Sequence, residues 1–448
     1  MKRIVVMKFG GTSVATAESR LLAARKVVAA AENGYSPVVV VSAIGRKGEP
    51  YATDTLLSLL SEVDPLVPYE AREMDLMLCC GEIMSTCVFA QTLKSLGQPA
   101  SAMTGGQAGL VTDSTHGNAR IIEVQPDDIW RIVEQGRVPV VCGFQGRSKP
   151  ADGSVYGEIT TLGRGGSDTT ASALGVALKA EAIEIYTDVD GVKTADPSSV
   201  PDAPTLRKMT YDEVAEIAHQ GAKVLHPRAA EIAMKYNIPL WVKSTFTDEV
   251  GTEIVSQDEF PGRRVTGVTH TGKLVYLHFE VPSEDDKRTL EHNVYKLMAN
   301  HRVNLFMLNT HENSFAFAVP RKQLAKVKEI LDGIVIPIGD DKTYIVQVGR
   351  ASSTEVSAQE QMLRSGEREI CKCTALLTEN CALVSMIAHE YLQQPGIFLR
   401  VAETLQRGSI NIIQTSDSSL SVSVLVPESD TDRAVRLLHE EFELSGAE

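Results

Sequence analysis

Cations are in deficit in this chain of 448 residues: 44 Lys and Arg stand against 58 Asp and Glu, a formal net charge of −14. That deficit argues against a nucleic-acid groove, so basic residues serving any anionic ligand must be concentrated locally. Cysteine is scarce and odd in number. The seven (Cys79, Cys80, Cys87, Cys142, Cys371, Cys373 and Cys381) are irregularly spaced, which fits reduced thiols rather than a disulfide framework. Cys371-Lys372-Cys373 lacks the second pair a zinc site needs, and Cys79, Cys80 and Cys87 are expected in the core of an apolar helix. No stretch approaches the ~20 apolar residues of a membrane span. The start has neither a signal nor a transit pattern, so a cytoplasmic location and no membrane partner are expected. The P-loop and the dinucleotide fingerprint are both missing.

Glycine, by contrast, is dense in two places. Ile4-Val5-Val6-Met7 reads as a buried strand that runs straight into Lys8-Phe9-Gly10-Gly11-Thr12-Ser13. Gly10 and Gly11 carry no Cβ, so the chain can adopt positive φ there and let an anion reach the backbone N–H groups. Lys8 adds a point charge, and Thr12 and Ser13 add hydroxyls ahead of a helix. The second place is Thr160-Thr161-Leu162-Gly163-Arg164-Gly165-Gly166-Ser167-Asp168-Thr169-Thr170. Its amides, the Arg164 guanidinium and the Ser167 hydroxyl converge on a helix N-terminus, which favours anions. Asp168 is out of place there unless it orients a cation: Arg164, Lys8 or a metal-bound water.

Through residue 245, strand-like runs at Ile4–Met7, Val38–Val41, Ala100–Ala102, Val138–Cys142, Ala182–Tyr186 and Leu240–Val242 alternate with helical periodicity. The helical patterns are Ala17–Glu32, Arg72–Ser95, Pro126–Gln135, Thr169–Lys179, Tyr211–Ala218 and Pro227–Tyr236. Such alternation predicts an α/β fold, a mainly parallel sheet between two layers of helices. Ligands of such sheets bind beyond the carboxyl ends of the strands. After a turn-rich stretch, a ferredoxin-like βαββαβ order occurs twice. The first copy places strands at Lys273–Glu280, Val303–Asn309, Ser314–Val319 and Thr343–Val348, and the second at Ala382–Ala388, Ile410–Thr415 and Leu420–Val426. The second copy lacks its final strand, for which Val265–Thr269 is the candidate. The expected boundaries are a domain over 1–246, a linker over 247–264, repeats over 265–349 and 377–448, and a linker or insertion over 350–376.

The glycine loops do not stand alone. With Val41-Ser42-Ala43, Thr53-Asp54, Cys80-Gly81-Glu82-Ile83-Met84-Ser85, Gly143-Phe144, Tyr186-Thr187-Asp188-Val189-Asp190-Gly191-Val192, Thr194-Ala195-Asp196-Pro197 and Gly221-Ala222-Lys223-Val224-Leu225-His226-Pro227, they resemble, in order and spacing, the aspartate kinases of the amino-acid kinase family. The two repeats resemble the paired ACT domains that those enzymes carry. The resemblance implies ATP-dependent phosphorylation of the β-carboxylate of L-aspartate, the first step toward lysine, threonine, methionine and diaminopimelate. It also implies Mg2+ arriving with the nucleotide, feedback by a pathway amino acid, and a homodimer formed through the ACT domains. The alternatives are a catalytically silent amino-acid sensor, or a kinase for glutamate, acetylglutamate, carbamate or uridylate. Intact Lys8, Glu82, Arg164 and Asp168 argue against the first; the ACT pair and the Thr187–Val192 run argue against the second group.

A carboxylate acceptor with a pKa near ~3.9 is already ionised, so no general base is expected and charge stabilisation dominates. By resemblance, Lys8 and Arg164 neutralise the transferring group and Asp168 organises them. Ser42, Thr53, Glu82, Arg164 and Ser167 meet the substrate, Glu82 pairing with its ammonium. The nucleotide falls to Lys8, Gly10, Gly11, Thr12, Ser13, Thr187, Asp188 and Lys223. Lys193 replaces a contact where Ser198 stands in place of an arginine common in the family. The effector falls to Pro395-Gly396-Ile397, faced by Asn411, Gln414, Ser416 and Asp417, while the Asp285-Asp286 loop of the first copy contributes packing. His226-Pro227 reads as a helix start.

Overall fold

Alternate residues of a seven-residue strand, β1 (Arg3–Phe9), face two different layers of helices. Ile4 and Val6 join one buried apolar cluster, whereas Val5, Met7 and Phe9 join another. A continuous apolar run is what a strand covered on both faces requires. The computed structural model describes residues 2–46, 48–64, 69–149, 157–220, 225–260, 264–349, 369–389 and 394–446. It divides into two compact units, one made of residues 1–267, 387–389 and 443–448, the other of 268–386 and 390–442.

In the first unit, β1 is followed by α1 (Ala17–Glu32), β2 (Tyr35–Val41), α2 (Thr53–Val63), α3 (Ala71–Ser95), β3 (Ala100–Met103), β4 (Leu110–Thr112) and β5 (Ile121–Val124). Then come α4 (Asp127–Glu134), β6 (Val138–Cys142), β7 (Gln145–Ser148), β8 (Ile159–Thr161), α5 (Gly166–Ala177) and β9 (Ala182–Thr187). The unit continues with β10 (Lys208–Thr210), α6 (Tyr211–His219), α7 (Pro227–Tyr236), β11 (Leu240–Ser244) and β12 (Thr252–Val255). The main sheet has the order β10-β12-β11-β9-β1-β2-β6-β3 and is parallel except where β12 meets β11. Ala23, Ala24 and Val27 of α1 and Phe89, Ala90 and Leu93 of α3 cover one face. Residues of α4, α5, α6 and α7, among them Ile129, Leu174, Val214 and Ala230, cover the other. The mainly parallel, doubly covered sheet is therefore as expected.

Two expectations need correction in this unit, and one sheet was not foreseen. Residues 247–264 are not simply a linker, because β12 pairs in register with both β10 and β11. A second sheet, β5-β4-β7-β8, was not legible, its strands being three or four residues long. Of the α3 cysteines, Cys79 is buried but Cys80 and Cys87 are exposed. They lie seven residues apart, two helical turns, on the outer face. α3 is also long and apolar enough by composition to cross a membrane, and half of the qualifying window is buried. Its inner face carries buried Asp75, Glu82, Ser85 and Thr86 before the apolar Phe89, Ala90 and Leu93, the pattern of a core helix that also builds a polar site.

The second unit comprises β13 (Gly267–Glu280), α8 (Glu284–Asn300), β14 (Phe306–Thr310), β15 (Ser314–Pro320), α9 (Leu324–Leu331), β16 (Val335–Ile338) and β17 (Lys342–Val348). It ends with β18 (Glu369–Ile387), α10 (Ile397–Arg407), β19 (Gln414–Asp417), β20 (Ser421–Pro427) and α11 (Thr431–Glu441). All eight strands share one sheet, β14-β15-β13-β18-β17-β16, with β20 added to β18 and β19 to β20. Two long strands carry both repeats. The neighbour of β13 is β18 rather than the strand at 342–348, which lies one place further out. Residues 369–376, expected within a linker, begin β18 and run parallel to β17. Buried Cys373 and Ala375 alternate there with Lys372 and Thr374, a period of two that small side chains made faint in the sequence. Residues 350–368 of the expected linker or insertion lie outside the described residues. β14 starts later than expected, at Phe306, and within it Met307 takes a positive φ of 50° and a bulge separates Phe306 from Asn309.

Candidate active site

The carboxyl ends of β1, β2 and β9 lie side by side, since β1 pairs in parallel with both. Phe9 is level with Tyr186, and the Gly10 N–H donates to the Tyr186 carbonyl at 3.3 Å. A cavity of about 350 Å³ opens next to this edge. Lys8, Ser42, Thr53, Glu82, Phe144, Gly163, Arg164, Gly165, Gly166, Ser167 and Asp168 line it. All seven residues expected to meet the substrate or drive transfer are in that wall. They come from β1, the end of β2, the start of α2, the middle of α3 and the loop from β8 to α5.

Lys8 and Asp168 form an ion pair, Nζ to Oδ1 2.8 Å, each side chain about one-eighth exposed (12 % and 12 %). Asp168 therefore orients Lys8, one of the alternatives open in the sequence. Its other oxygen accepts the backbone N–H of His226 at 3.3 Å. Arg164 is exposed and makes no hydrogen bond or ion pair among the described residues. Glu82 is only 2 % exposed. Its Oε1 accepts the Ala43 N–H at 3.2 Å, and Oε2 is buried with no partner among the described residues. Burial pushes the Glu82 carboxyl up to about 8, against the weaker pull of the Ala43 hydrogen bond. An unshared carboxylate oxygen in a closed wall is costly unless a cation reaches it.

Glycines bring these parts together. A Cβ on Gly81 would stand 3.0 Å from the Ala43 Cβ, so Gly81 lets α3 press Glu82 against the chain after β2. A Cβ on Gly143 would fall 2.6 Å from the Ser167 hydroxyl. Gly165 has φ +72°, and a Cβ there would overlap the His226 ring at 2.1 Å. His226 is thus more than a helix start: its ring backs the loop and its amide holds Asp168. Burial lowers its pKa from the ordinary 6.5, leaving it a neutral wall at pH 7 rather than a third cation. Asp75, fully buried on α3, accepts from His116 Nδ1 (2.8 Å), the Gly117 N–H (3.1 Å) and Thr161 Oγ1 (2.5 Å), tying down the strand that leads into Gly163. Nothing in the sequence flagged Asp75, because a single Asp in an apolar helix carries no spacing signal.

The expected nucleotide residues are only partly assembled. Gly10 lies beside Lys8 Nζ, and Thr12 and Asp188 are neighbours through a common partner, Arg46, which sequence reasoning missed. Gly11 does not use positive φ; it sits at −56°. Glycine is needed instead because a Cβ would stand 2.5 Å from the Gly45 carbonyl oxygen. Ser13 is fully buried, and its hydroxyl accepts from Thr245 Oγ1 at 2.7 Å, so it packs the loop rather than facing a ligand. Lys193 is turned to the Ala203 carbonyl and Thr205 Oγ1, both at 3.2 Å, which removes it from the nucleotide set. Lys223 lies outside the described residues.

In the second unit, Gly396 at φ +92° precedes α10, leaving the first-turn amides of 397–399 without intrahelical partners. Ile397 is corrected: its side chain is 6 % exposed and belongs to the core, so only its amide is available. Pro395, Asn411, Ser416 and Asp417 are exposed, and Gln414 Oε1 accepts from Tyr276 Oη at 3.4 Å. In the first copy, Asp286 is buried and takes bonds from Lys342 Nζ and Tyr344 Oη, both at 3.0 Å.

A phosphate-type glycine loop, two cations and a buried carboxylate at the carboxyl edge of a parallel sheet define a site for an anion and a zwitterion. Comparison with known proteins agrees. Residues 3–244 match the amino acid kinase family, and residues 384–442 match the ACT domain. Aspartokinase 1 of Bacillus subtilis is 38 % identical over 99 % of this chain and all of its own length. The aspartokinase of Corynebacterium glutamicum is 35 % identical over 99 % of this chain and 97 % of its own. Aspartokinase III of E. coli, solved with aspartate and ADP in its R-state, shares the fold with a TM-score of 0.72 at 24 % identity, over 98 % of this chain and all of that one. The chain belongs to the amino acid kinase family, and within it to the aspartokinases that end in ACT sequence.

Proposed function

We propose that the cavity at Lys8, Glu82 and Arg164 binds L-aspartate beside ATP and transfers the γ-phosphoryl group to its β-carboxylate. The reaction class follows from family membership. The observation that supports this placement is Glu82 Oε2, buried without a partner in a wall that also holds two cations. The α-ammonium of aspartate supplies what Glu82 lacks, and Arg164 offers a two-pronged grip on a carboxylate. Ser42, Thr53 and Ser167 provide hydroxyls in the same wall. Lys8, held by Asp168 and standing between the substrate cavity and Gly10, offsets charge on the transferring group. The acceptor is already ionised, so the residues need to move no proton. Gly10, Gly11, Thr12, Thr187 and Asp188 form the nucleotide side. Mg2+ arriving with the nucleotide would supply charge neutralisation there. Among the described residues, no group of three or more His, Cys, Asp or Glu side chains is placed to hold it alone.

A pathway amino acid binds at the start of α10, its carboxylate on the free amides after Gly396 and its polar groups toward Asn411, Gln414, Ser416 and Asp417. The chain pairs as a homodimer through its ACT sheets and works in the cytoplasm, in keeping with seven free thiols. Hydroxamate trapping of the acyl phosphate with Mg-ATP tests the reaction. Product is expected with L-aspartate; turnover of glutamate or carbamate, but not aspartate, overturns the reading.

A further inference from the structure

Arg46 is a cation at the glycine loop that the proposed chemistry leaves unused. It follows Ser42-Ala43-Ile44-Gly45 after the end of β2, and that loop is fastened to the glycine loop. The Gly45 N–H donates to the Gly11 carbonyl at 3.1 Å, and the Gly45 carbonyl lies so near Gly11 that no Cβ fits between them. Arg46 is therefore carried to Thr12 by backbone contacts, whatever its side chain does. Its Nη2 reaches Thr12 Oγ1 at 3.3 Å and Asp188 Oδ2 at 2.5 Å. The Asp188 carboxylate in turn accepts from Thr187 Oγ1 at 3.1 Å on its other oxygen. The Arg46 backbone N–H donates to Glu49 Oε2 at 3.0 Å, and both side-chain bonds leave from Nη2, so Nε and Nη1 have no partner among the described residues. One edge of a planar fork is fixed and the other is presented.

Structure alone does not require this residue. The Arg46 side chain is 64 % exposed, and such a pair contributes little to stability. An Arg–Asp pair mainly orients the fork here. Lys8 Nζ already borders Gly10 at the other end of the same short loop. We propose that Arg46 is a phosphate-binding residue of the nucleotide site, gripping the polyphosphate of the nucleoside triphosphate from the side opposite Lys8, with Asp188 as its positioning residue.

This rests on the reading of Gly10–Thr12 as the nucleotide side, and the experiment separates the two. Arg46→Ala, Arg46→Lys and Asp188→Asn are compared with the wild type in Mg-ATP and aspartate kinetics and in calorimetric titration with Mg-ADP. Arg46→Ala is expected to raise the ATP KM and the Mg-ADP Kd at least tenfold, leave the aspartate KM within twofold, and unfold at the wild-type temperature without nucleotide. Arg46→Lys should recover part of the loss, because charge returns without the fork. Asp188→Asn should weaken nucleotide binding too. If Arg46→Ala keeps wild-type ATP and ADP constants, or moves the aspartate KM instead, the assignment of Arg46 is overturned while the nucleotide site stands. If the wild type itself binds no Mg-ADP, the underlying reading falls.

Discussion

Glu82 shows how one side chain can be read three ways. The sequence offers a helix residue after a glycine; the fold buries it to 2 % exposure; the burial pushes its carboxyl up to about 8. Below that pH, in the absence of aspartate, it holds a proton that an incoming ammonium must displace. Aspartate affinity is therefore expected to strengthen with rising pH and to level off above about 8, by at most ~10-fold per pH unit. Glu82→Gln should abolish that dependence and raise the aspartate KM at least ~10-fold with the ATP KM unmoved, as pH-resolved kinetics will show. The same shift has a stability consequence. The folded carboxyl keeps its proton longer than the unfolded one, so stability is full below about 4.5 and is lost as pH rises toward about 8. Thermal melts of Glu82→Gln should be flatter across that window. A KM that ignores pH in the wild type would remove Glu82 from the ammonium.

Two helices begin at a glycine with positive φ, yet the glycines do different jobs. Gly165, at +72°, has the His226 ring where a Cβ would go, whereas Gly396, at +92°, has nothing within 4 Å among the described residues. An L side chain in that backbone region costs about 1–2 kcal/mol in either place. Gly396→Ala should show only that cost in a denaturant melt, with uninhibited turnover kept. Gly165→Ala should exceed it and lower kcat/KM sharply, because the displaced ring carries the amide that holds Asp168 and hence Lys8. Equal effects of the two substitutions would mean that loop packing does not set the site. The element boundaries were legible where periodicity was long, as in Ala17–Glu32 and Tyr211–His219, whose ends are marked by capping boxes at Thr16 and Thr210. Three-residue strands such as Leu110–Thr112 carry no period to read.

At the scale of the molecule, a kinase needs no amino-acid sensors for its chemistry, so the ACT unit implies an effector that favours one global state, typically by ~1–3 kcal/mol. Gln414→Ala and Asp417→Ala are expected to relieve inhibition by a pathway amino acid while uninhibited kcat stays within a few fold. Substitutions at Asp286 should instead lower stability, since that carboxylate holds Lys342 and Tyr344. Inhibition assays with lysine, threonine and diaminopimelate decide the matter. Loss of inhibition from Asp286 changes alone would place the effector in the other copy.

The order of the motifs by itself determined the family, strand–helix alternation determined the parallel sheet, and the seven residues expected at the substrate all line one cavity, because such sites draw on residue type at the ends of strands that periodicity reveals. Lys8, near the end of β1, was legible for that reason, whereas Glu82 in the middle of α3 and Arg164 and Asp168 after β8 were legible only through their motifs. The tertiary structure decided what depends on distance across the chain. It turned Ser13 inward to Thr245, drew Lys193 to Ala203, gave the place beside β13 to β18, and carried Arg46 to Thr12 through a contact between Gly11 and Gly45. Close backbone approach of two loops distant in sequence leaves no periodic trace. It exists only once both strands have taken their places in the sheet.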